Sequence, residues 1–178
     1  MLFRSDVENM ARIVNQLLDI AELDTFEVDP QEKADLHAVC AEVAEFIAPL
    51  ALSQKKNIAL LGADGPVWIR GNAEMLRRAV RNLTENAIKH TPEGTTVEVI
   101  VGSDGTLKVI DEGPGIPETE RELIFRRFWR RDRRRVDGAG LGLAIVRQIV
   151  ERHSGTITVG ITSTGGAQFT LQFVRCES

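Results

Sequence analysis

Three polar or glycine-rich motifs, spread along the chain, constrain its fold more than any other feature. In the first, Asn82, Asn86 and Lys89 stand at positions i, i+4 and i+7 of one helical face. The second motif, 111–117, reads DEGPGIP, and the third, 138–143, reads GAGLGL. Amides, a carboxylate and glycine-rich turns are groups that hold a hydrated Mg²⁺ and the phosphates of a nucleotide. Together the motifs predict one ATP and magnesium site built from separate segments.

Each motif has a simpler explanation when it is considered alone. The face with two amides and a lysine could be a solvated helix surface, and an aspartate before Gly-x-Gly often only starts a turn. Asp111, however, follows the apolar strand residues Leu107, Val109 and Ile110, so its carboxylate needs a donor such as an exocyclic amine. The third motif opens a helix, but it has neither P-loop spacing nor a preceding strand. P-loop and dinucleotide-binding enzymes are therefore disfavoured.

Composition indicates one ordinary domain with a short extension. The chain has 178 residues, 43% of them hydrophobic, and a formal net charge of -4, which gives no reason to expect nucleic acid as a partner. Cys40 and Cys176 show neither metal-ligand spacing nor a disulfide framework, and this favours a reducing, cytoplasmic compartment. Neither a signal peptide nor an apolar run of membrane-spanning length is evident in the sequence, so we expect no membrane contact by this chain.

The N-terminal segment predicts a helix that packs against a partner. Its apolar residues recur at alternating steps of four and three, at Phe3, Val7, Met10, Val14, Leu17 and Ala21. This seam could contact other helices of a bundle or the core of the same chain, and the seam residues alone do not decide between the two. The stretch 25–30, which ends in proline, separates the helix from the rest of the chain.

The remaining sequence alternates between helix and strand patterns. Asp35 and Asn72 are predicted N-caps of two helices. The apolar residues of the first are Leu36, Val39, Val43, Phe46, Ile47 and Leu50, and those of the second are Leu76, Ala79, Val80, Leu83 and Ala87. Strands are predicted at 57–61, 66–70, 95–101, 106–111, 156–161 and 167–174, and a further helix at 141–153. The expected fold is a two-layer α/β sandwich with a mixed sheet, and the irregular stretch 113–140 is predicted to form a lid.

Four segments resemble the sequence boxes of the ATP-binding catalytic domain of bacterial sensor histidine kinases, in the GHKL superfamily. RNLTENAIKHTPEG (81–94) is similar to the N box, DEGPGIP (111–117) to the G1 box, IFRRFWR (124–130) to the F box and GAGLGLAIV (138–146) to the G2 box. The resemblance covers roughly residues 26 to 174 and implies the Bergerat α/β sandwich fold. It divides the chain into an incomplete second helix of the dimerisation and phosphotransfer hairpin at 1–24 and an ATP-binding catalytic domain at 25–178.

The resemblance also implies a role for each matching position. Asn86 would be the Mg²⁺ ligand, Asp111 would accept a hydrogen bond from the adenine amino group, and Gly138 to Leu143 would close over the triphosphate. Where related ATPases carry a glutamate that activates water, the chain has Asn82, whose amide cannot accept that proton, so rapid hydrolysis is not expected. The expected catalytic residues are Asn82, Lys89 and Arg130. The expected nucleotide site contains Asn82, Asn86, Lys89, His90, Asp111, Gly113, Gly115, Ile116, Trp129, Arg130, Ala139, Gly140, Leu141, Gly142 and Leu143.

The activity implied is transfer of the γ-phosphoryl group of ATP to a histidine, for relay to a response regulator. Neither His37 nor His153 has the sequence context of the family's phosphoacceptor. We therefore expect that the acceptor histidine lies on a hairpin helix missing from this chain, and that the chain alone does not phosphorylate itself. A second kinase subunit and a response regulator receiver domain are the other partners implied, and the full-length parent could be anchored in a membrane.

The chain departs from the family pattern at His90, Trp129, Ala139 and Ser154, without losing an expected ligand. An anti-sigma-type serine kinase shares the boxes but has no hairpin helix. A regulatory pseudokinase that binds nucleotide without phosphotransfer would be expected to have lost an essential ligand. The arginine-rich part of the lid could contact an acidic partner or only solvent, and it contains Arg126, Arg127, Arg130, Arg131, Arg133, Arg134 and Arg135.

Overall fold

The computed structural model describes residues 2–131 and 139–177, with side chains at 7, 10 and 11 and from 13 onward. In chain order the helices and strands are α1 (Leu2–Thr25), β1 (Lys33–Asp35), α2 (Leu36–Ser53), β2 (Asn57–Gly62), β3 (Trp68–Arg70), α3 (Ala73–His90), β4 (Thr96–Val101), β5 (Thr106–Ile110), α4 (Gly142–Arg152), β6 (Thr156–Ile161) and β7 (Ala167–Gln172). Two short 3-10 helices, Glu118–Glu120 and Leu123–Phe125, lie between β5 and α4.

A five-stranded mixed sheet supports the helices on one side. Its strand order is β2-β4-β5-β7-β6; β2 and β4 pair in parallel, and the other neighbours are antiparallel. Along β4, Val97, Val99 and Val101 are buried and alternate with half-buried residues, as expected for a strand with one face on the core. Helix α2 contacts β2 and β4, α3 contacts β4 and β5, and α4 contacts β6. This arrangement confirms the predicted two-layer α/β sandwich.

Both predicted N-caps are confirmed, and one of them also joins two parts of the chain. The carboxylate Oδ1 of Asp35 accepts hydrogen bonds from the backbone N of His37 at 3.0 Å and of Val67 at 2.9 Å, which links the start of α2 to the segment before β3. Asn72 accepts from the backbone N of Met75 at 2.9 Å and caps α3. Strand β1, which pairs with β3, was not predicted, because three residues carry no usable pattern.

The second helix has one buried and one exposed apolar face. Leu36, Val39, Val43 and Ile47 are buried, whereas Phe46 and Leu50 are 61% and 40% exposed. The guanidinium carbon of Arg81 lies 4.6 Å from the centre of the Phe46 ring, so a cation covers part of this aromatic surface. Among the described residues, α2 is also the helix long and apolar enough to span a membrane by length and composition, a test that core helices also pass.

The first helix packs on the domain with its C-terminal half, but the predicted seam stays uncovered. In the C-terminal half, Ile20 and Leu23 are buried in the domain core. The exposed apolar side chains of the helix include Val7, Met10, Val14, Leu17 and Leu18. The guanidinium of Arg78 on α3 contacts the carboxylates of Asp19 and Glu22 at 3.2 and 2.7 Å. For the seam residues whose side chains are described, docking on the chain's own core is therefore excluded.

The predicted lid is more regular than its sequence indicated. Its first half contains the two 3-10 helices, and Ile124 and Phe125 are buried in the domain core. The segment 132–138 lies outside the described residues, and with it the predicted contributions of Gly138, Arg133, Arg134 and Arg135. The structure therefore describes the lid at 113–131 and at Ala139 and Gly140.

Candidate functional site

Asp111 lies at the end of β5 with its carboxylate almost fully enclosed. The residue is only 4% exposed. Its Oδ1 accepts hydrogen bonds from the backbone N of Gly113 at 2.8 Å and of Ala167 at 3.2 Å. Both hydrogen bonds to the side chain from the described residues use Oδ1, so Oδ2 remains as an acceptor for a donor on a ligand. A buried, fixed acceptor of this kind suits an exocyclic amine on a ligand, and the contact with an adenine amino group stays a prediction.

Close backbone packing around Asp111 explains the glycines of the G1 box. A Cβ on Gly113 would stand 2.8 Å from the carbonyl oxygen of His90 and 2.9 Å from Asp111 Oδ1, closer than side-chain atoms normally approach. A Cβ on Gly166 would overlap the carbonyl of Asp111 itself. The turn between β6 and β7 is thus part of the wall behind the carboxylate. This role was not predicted from the sequence, because paired glycines between strands usually indicate only a turn.

The two amides on the polar face of α3, Asn82 and Asn86, differ in their hydrogen bonds. Asn82 Nδ2 donates to the backbone oxygen of Arg78 at 2.9 Å, and Asn82 Oδ1 lies 3.0 Å from where a Cβ on Gly142 would stand. The half-buried amide of Asn86 makes no side-chain hydrogen bond with the described residues. Asn82 is thus oriented towards the start of α4, whereas Asn86 can offer its oxygen to a ligand.

The F box and the G2 box fold against each other. The backbone N of Phe128 donates to the carbonyl oxygen of Gly140 at 2.9 Å. Gly140 has a φ of +72°, and a Cβ there would lie 3.1 Å from Arg130 Cγ, so glycine is required for this contact. Leu141 is fully buried, and Trp129 packs against the core beside it as a half-buried residue. The two segments therefore form one unit in front of α4.

The four boxes contact one another in a closed circuit. Thr91 Oγ1 of the N box accepts from the backbone N of Glu112 in the G1 box at 3.1 Å. Arg131, directly after the F box, donates to the carbonyl oxygen of Gly115 at 3.4 Å and pairs with Glu120 at 2.6 Å. The F box meets the G2 box through the Phe128 hydrogen bond, and the G2 box meets the N box where Gly142 adjoins Asn82. The predicted site segments are thus adjacent, although their roles in binding stay predictions.

The remaining predicted site residues line or border this circuit. Ile116, Ala139 and Leu143 are half-buried and pack against the core, whereas Lys89 and His90 are exposed at the C-terminal end of α3. No group of three or more His, Cys, Asp or Glu side chains suited to a metal occurs in the described ranges. A divalent cation in this site would therefore rely on a neutral ligand such as the Asn86 oxygen together with phosphate and water oxygens.

A second polar cluster, which the sequence did not indicate, joins α1 to the F box and α4. Asp24 Oδ1 accepts from Gln148 Nε2 at 2.8 Å and from the Arg127 guanidinium at 3.0 Å, while Arg152 donates to the Asp24 carbonyl oxygen at 2.7 Å. The hydrogen bond from Gln148 and then that from Arg127 lower the pKa of the Asp24 carboxyl. Beside this cluster is an open cavity of about 480 Å³ between the F box and α4.

Comparisons with known proteins agree on one protein family. The family model described as Histidine kinase-, DNA gyrase B-, and HSP90-like ATPase matches residues 71–176. The chain is 35% identical over 168 residues to the signal transduction histidine-protein kinase/phosphatase MprB of Mycolicibacterium smegmatis, a match that covers 91% of the chain and 33% of that relative. The chain therefore spans about a third of the length of this curated relative.

Two solved structures share this fold. A structure titled mycobacterial sensor histidine kinase MprB superposes with a TM-score of 0.72 and 30% identity, over 83% of this chain and 99% of that one. The crystal structure of full-length ShkA in complex with AMPPNP gives a TM-score of 0.77 and 28% identity, over 98% of this chain and 38% of that one.

Proposed function

Because the chain belongs to the histidine kinase-, DNA gyrase B- and HSP90-like ATPase family, we propose that its four boxes form the site that delivers the γ-phosphoryl group of ATP to a histidine. The acceptor histidine would lie on a dimerisation domain, and a response regulator would receive the phosphoryl group from it. The observation that carries the proposal is the buried carboxylate of Asp111, which keeps Oδ2 for a ligand inside a circuit of the four boxes.

The residues of the site divide the work of holding the nucleotide. Asp111 would accept the adenine amino group and so fix the base, since a base without that amino group would leave Oδ2 of the carboxylate without a donor. Asn86 would supply an oxygen to Mg²⁺, which shields the phosphate charge when it is bound. Lys89 and Arg130 would approach the phosphates from α3 and from the F box, and positive charge there stabilises the charge of the transferring group.

The state of Asn82 supports transfer to a side chain over transfer to water. A general base for hydrolysis must accept a proton, which a neutral amide does not do at ordinary pH. Asn82 Nδ2 is already engaged with the Arg78 carbonyl oxygen, so the side chain is also held in place by its own helix. A site of this kind preserves ATP until an acceptor side chain enters.

The first helix supports the proposed division into a hairpin helix at 1–24 and a catalytic domain at 25–178. Its uncovered apolar seam suits the first hairpin helix and a second kinase subunit as partners. The relatives named above are sensor histidine kinases, and this favours the proposal over an anti-sigma-type serine kinase or a pseudokinase. We further place the domain in the cytoplasm, where ATP is available and the free thiols of Cys40 and Cys176 stay reduced.

Titration calorimetry with Mg²⁺ and ADP tests the nucleotide site. We expect micromolar-range binding, and a loss of at least about tenfold in Asp111→Asn, because an amide cannot keep both backbone donors and the ligand amine satisfied. Asp104→Asn is a matched control, because Asp104 is an exposed aspartate at the opposite end of β5. Unchanged affinity in Asp111→Asn would remove this carboxylate from the site and the proposal with it.

A second measurement tests the transfer step. Incubation of the chain with labelled ATP alone should give no acid-labile phosphoprotein, since none of the three histidines, His37, His90 and His153, has the sequence context of the family's acceptor. Addition of a separate dimerisation domain with its acceptor histidine should produce label on that domain. Label on the chain itself would contradict the proposed missing acceptor.

A further inference from the structure

Gln16 of α1 lies beside the proposed site without belonging to any of the four boxes. The point where a Cβ would stand on Gly142 is 4.0 Å from Gln16 Nε2 and 3.0 Å from Asn82 Oδ1. Gly142 is the first residue of α4, whose N-terminal backbone amides favour anionic groups. The amide of Gln16 therefore adjoins the end of the site at which the phosphates would lie.

Packing holds Gln16 in this position. It shares a helical face with Ile20 and Leu23, at positions i, i+4 and i+7, and both of these side chains are buried in the domain core. Ion pairs of Arg78 with Asp19 and Glu22 fix the same turns of α1 to α3, and the Asp24 cluster fixes the end of the helix. These contacts fix the helix close to Gln16 and so restrict the positions that its side chain can reach.

The oxygen of Gln16 is buried at a cost. Among the described residues, Gln16 Oε1 is the one buried side-chain oxygen or nitrogen without a hydrogen-bond partner. Leaving a buried amide oxygen without a donor destabilises a fold, and an apolar side chain of similar shape would avoid this loss. Most buried polar groups in native proteins are satisfied, so an exception next to a ligand site points to a partner that arrives with the ligand.

We propose that Gln16 contacts the triphosphate end of the bound nucleotide, so that a residue of α1 completes the ATP site of the catalytic domain. Its Nε2 is a donor for terminal phosphate oxygens, and its Oε1 is an acceptor for the water that hydrates this end of the ligand. This inference rests on the proposed nucleotide site. It couples the docking of α1 to nucleotide affinity, because each then stabilises the other by the same free energy.

A substitution at Gln16 should therefore have opposite effects on the stability of the free protein and on its affinity for nucleotide. Gln16→Met has nearly the same shape but no amide, so it removes the unsatisfied oxygen from the free protein. We expect its melting temperature without nucleotide to rise by about 2–4 °C. With Mg²⁺ and a non-hydrolysable ATP analogue, the lost contact should weaken binding by about 3–10-fold. Binding of Mg²⁺ and ADP, which lacks the terminal phosphate, should change by less than about twofold.

Two further variants keep the test decisive. Gln16→Asn retains the amide but withdraws it by one methylene, so it should lose analogue affinity without the rise in melting temperature. Asn15→Met changes the exposed neighbour of Gln16 on the same helix and should leave both quantities unchanged.

The readouts separate this inference from the proposed function. If the unaltered chain binds the analogue and Asp111→Asn does not, the nucleotide site stands. Equal or tighter analogue binding in Gln16→Met would then overturn the role of Gln16, and tighter binding would identify it as a brake on the site instead. Absence of binding by the unaltered chain would overturn the proposed function itself.

Discussion

His153, the C-cap residue directly after α4, provides a stringent test of how the structure is held together. The imidazole is 5% exposed and bridges two helices. Its Nε2 lies 3.1 Å from the backbone N of Asn72, which must donate, and its Nδ1 lies 2.7 Å from the carbonyl oxygen of Ile149, which must accept. Only the neutral ring with its proton on Nδ1 satisfies both partners. The ring also stacks on Phe26 at 6.2 Å between ring centres and meets Phe173 edge-on.

Acid should destabilise the fold through this residue. Burial lowers the pKa of the His153 imidazole below its ordinary value of 6.5. The imidazole therefore binds a proton more readily in the unfolded chain than in the folded one. The free energy of unfolding falls as pH decreases through the ordinary pKa. The loss between pH 7.5 and 5.5 is at most about 1.4 kcal/mol, which is the limit for a ring that takes up no proton in the folded state. Above pH 7.5 this contribution should be constant.

Urea unfolding at a series of pH values measures this loss, with the variant His153→Gln for comparison. Glutamine can donate to one partner and accept from the other without titrating, so the variant should lose the part of the acid dependence that His153 contributes. It should also be less stable at pH 7.5 by about 1–3 kcal/mol, because the ring contacts are gone. An unchanged slope in His153→Gln would refute the argument from the two hydrogen bonds.

Three further predictions concern other parts of the chain. Gly166→Ala should abolish nucleotide binding in calorimetry, because its Cβ would overlap the Asp111 carbonyl, whereas Gly160→Ala, with open space around it, should bind normally. Arg78→Ala should loosen α1 and speed its removal by a protease, while the melting temperature of the remaining domain changes little. Leu17→Lys, on the exposed seam, should alter stability of the chain by no more than about 0.5 kcal/mol in urea unfolding.

Features set by local chemistry were predictable from the sequence. The N-caps at Asp35 and Asn72 need only a short polar side chain before an apolar periodic run. The strand and helix patterns gave the two-layer sandwich, because alternation and helical spacing reflect which face is buried. The segments of the candidate site were also predictable, because amides, an aspartate and glycines at these spacings serve few other purposes together.

Features set by contacts between distant segments were not predictable. Asp24 contacts Gln148, and neither residue stands in a pattern that marks it. Gly166 is needed because of the Asp111 carbonyl, a neighbour that only the folded sheet provides. Phe46 has helical spacing with the core residues of α2 and is nevertheless exposed under Arg81, since periodicity does not locate the boundary of a buried face.

The unbroken course of α1 has a mechanical consequence. Twenty-four residues of continuous helix extend about 36 Å, with an apolar stripe available to a bundle at one end and buried anchors at the other. Because the helix is continuous, a rotation at its N-terminal end is transmitted to its C-terminal end. If neighbouring helices turned the stripe by one residue, about 100°, Ile20 and Leu23 would leave the domain core. A rotation imposed on the N-terminal half of α1 would thereby weaken its packing next to the proposed nucleotide site.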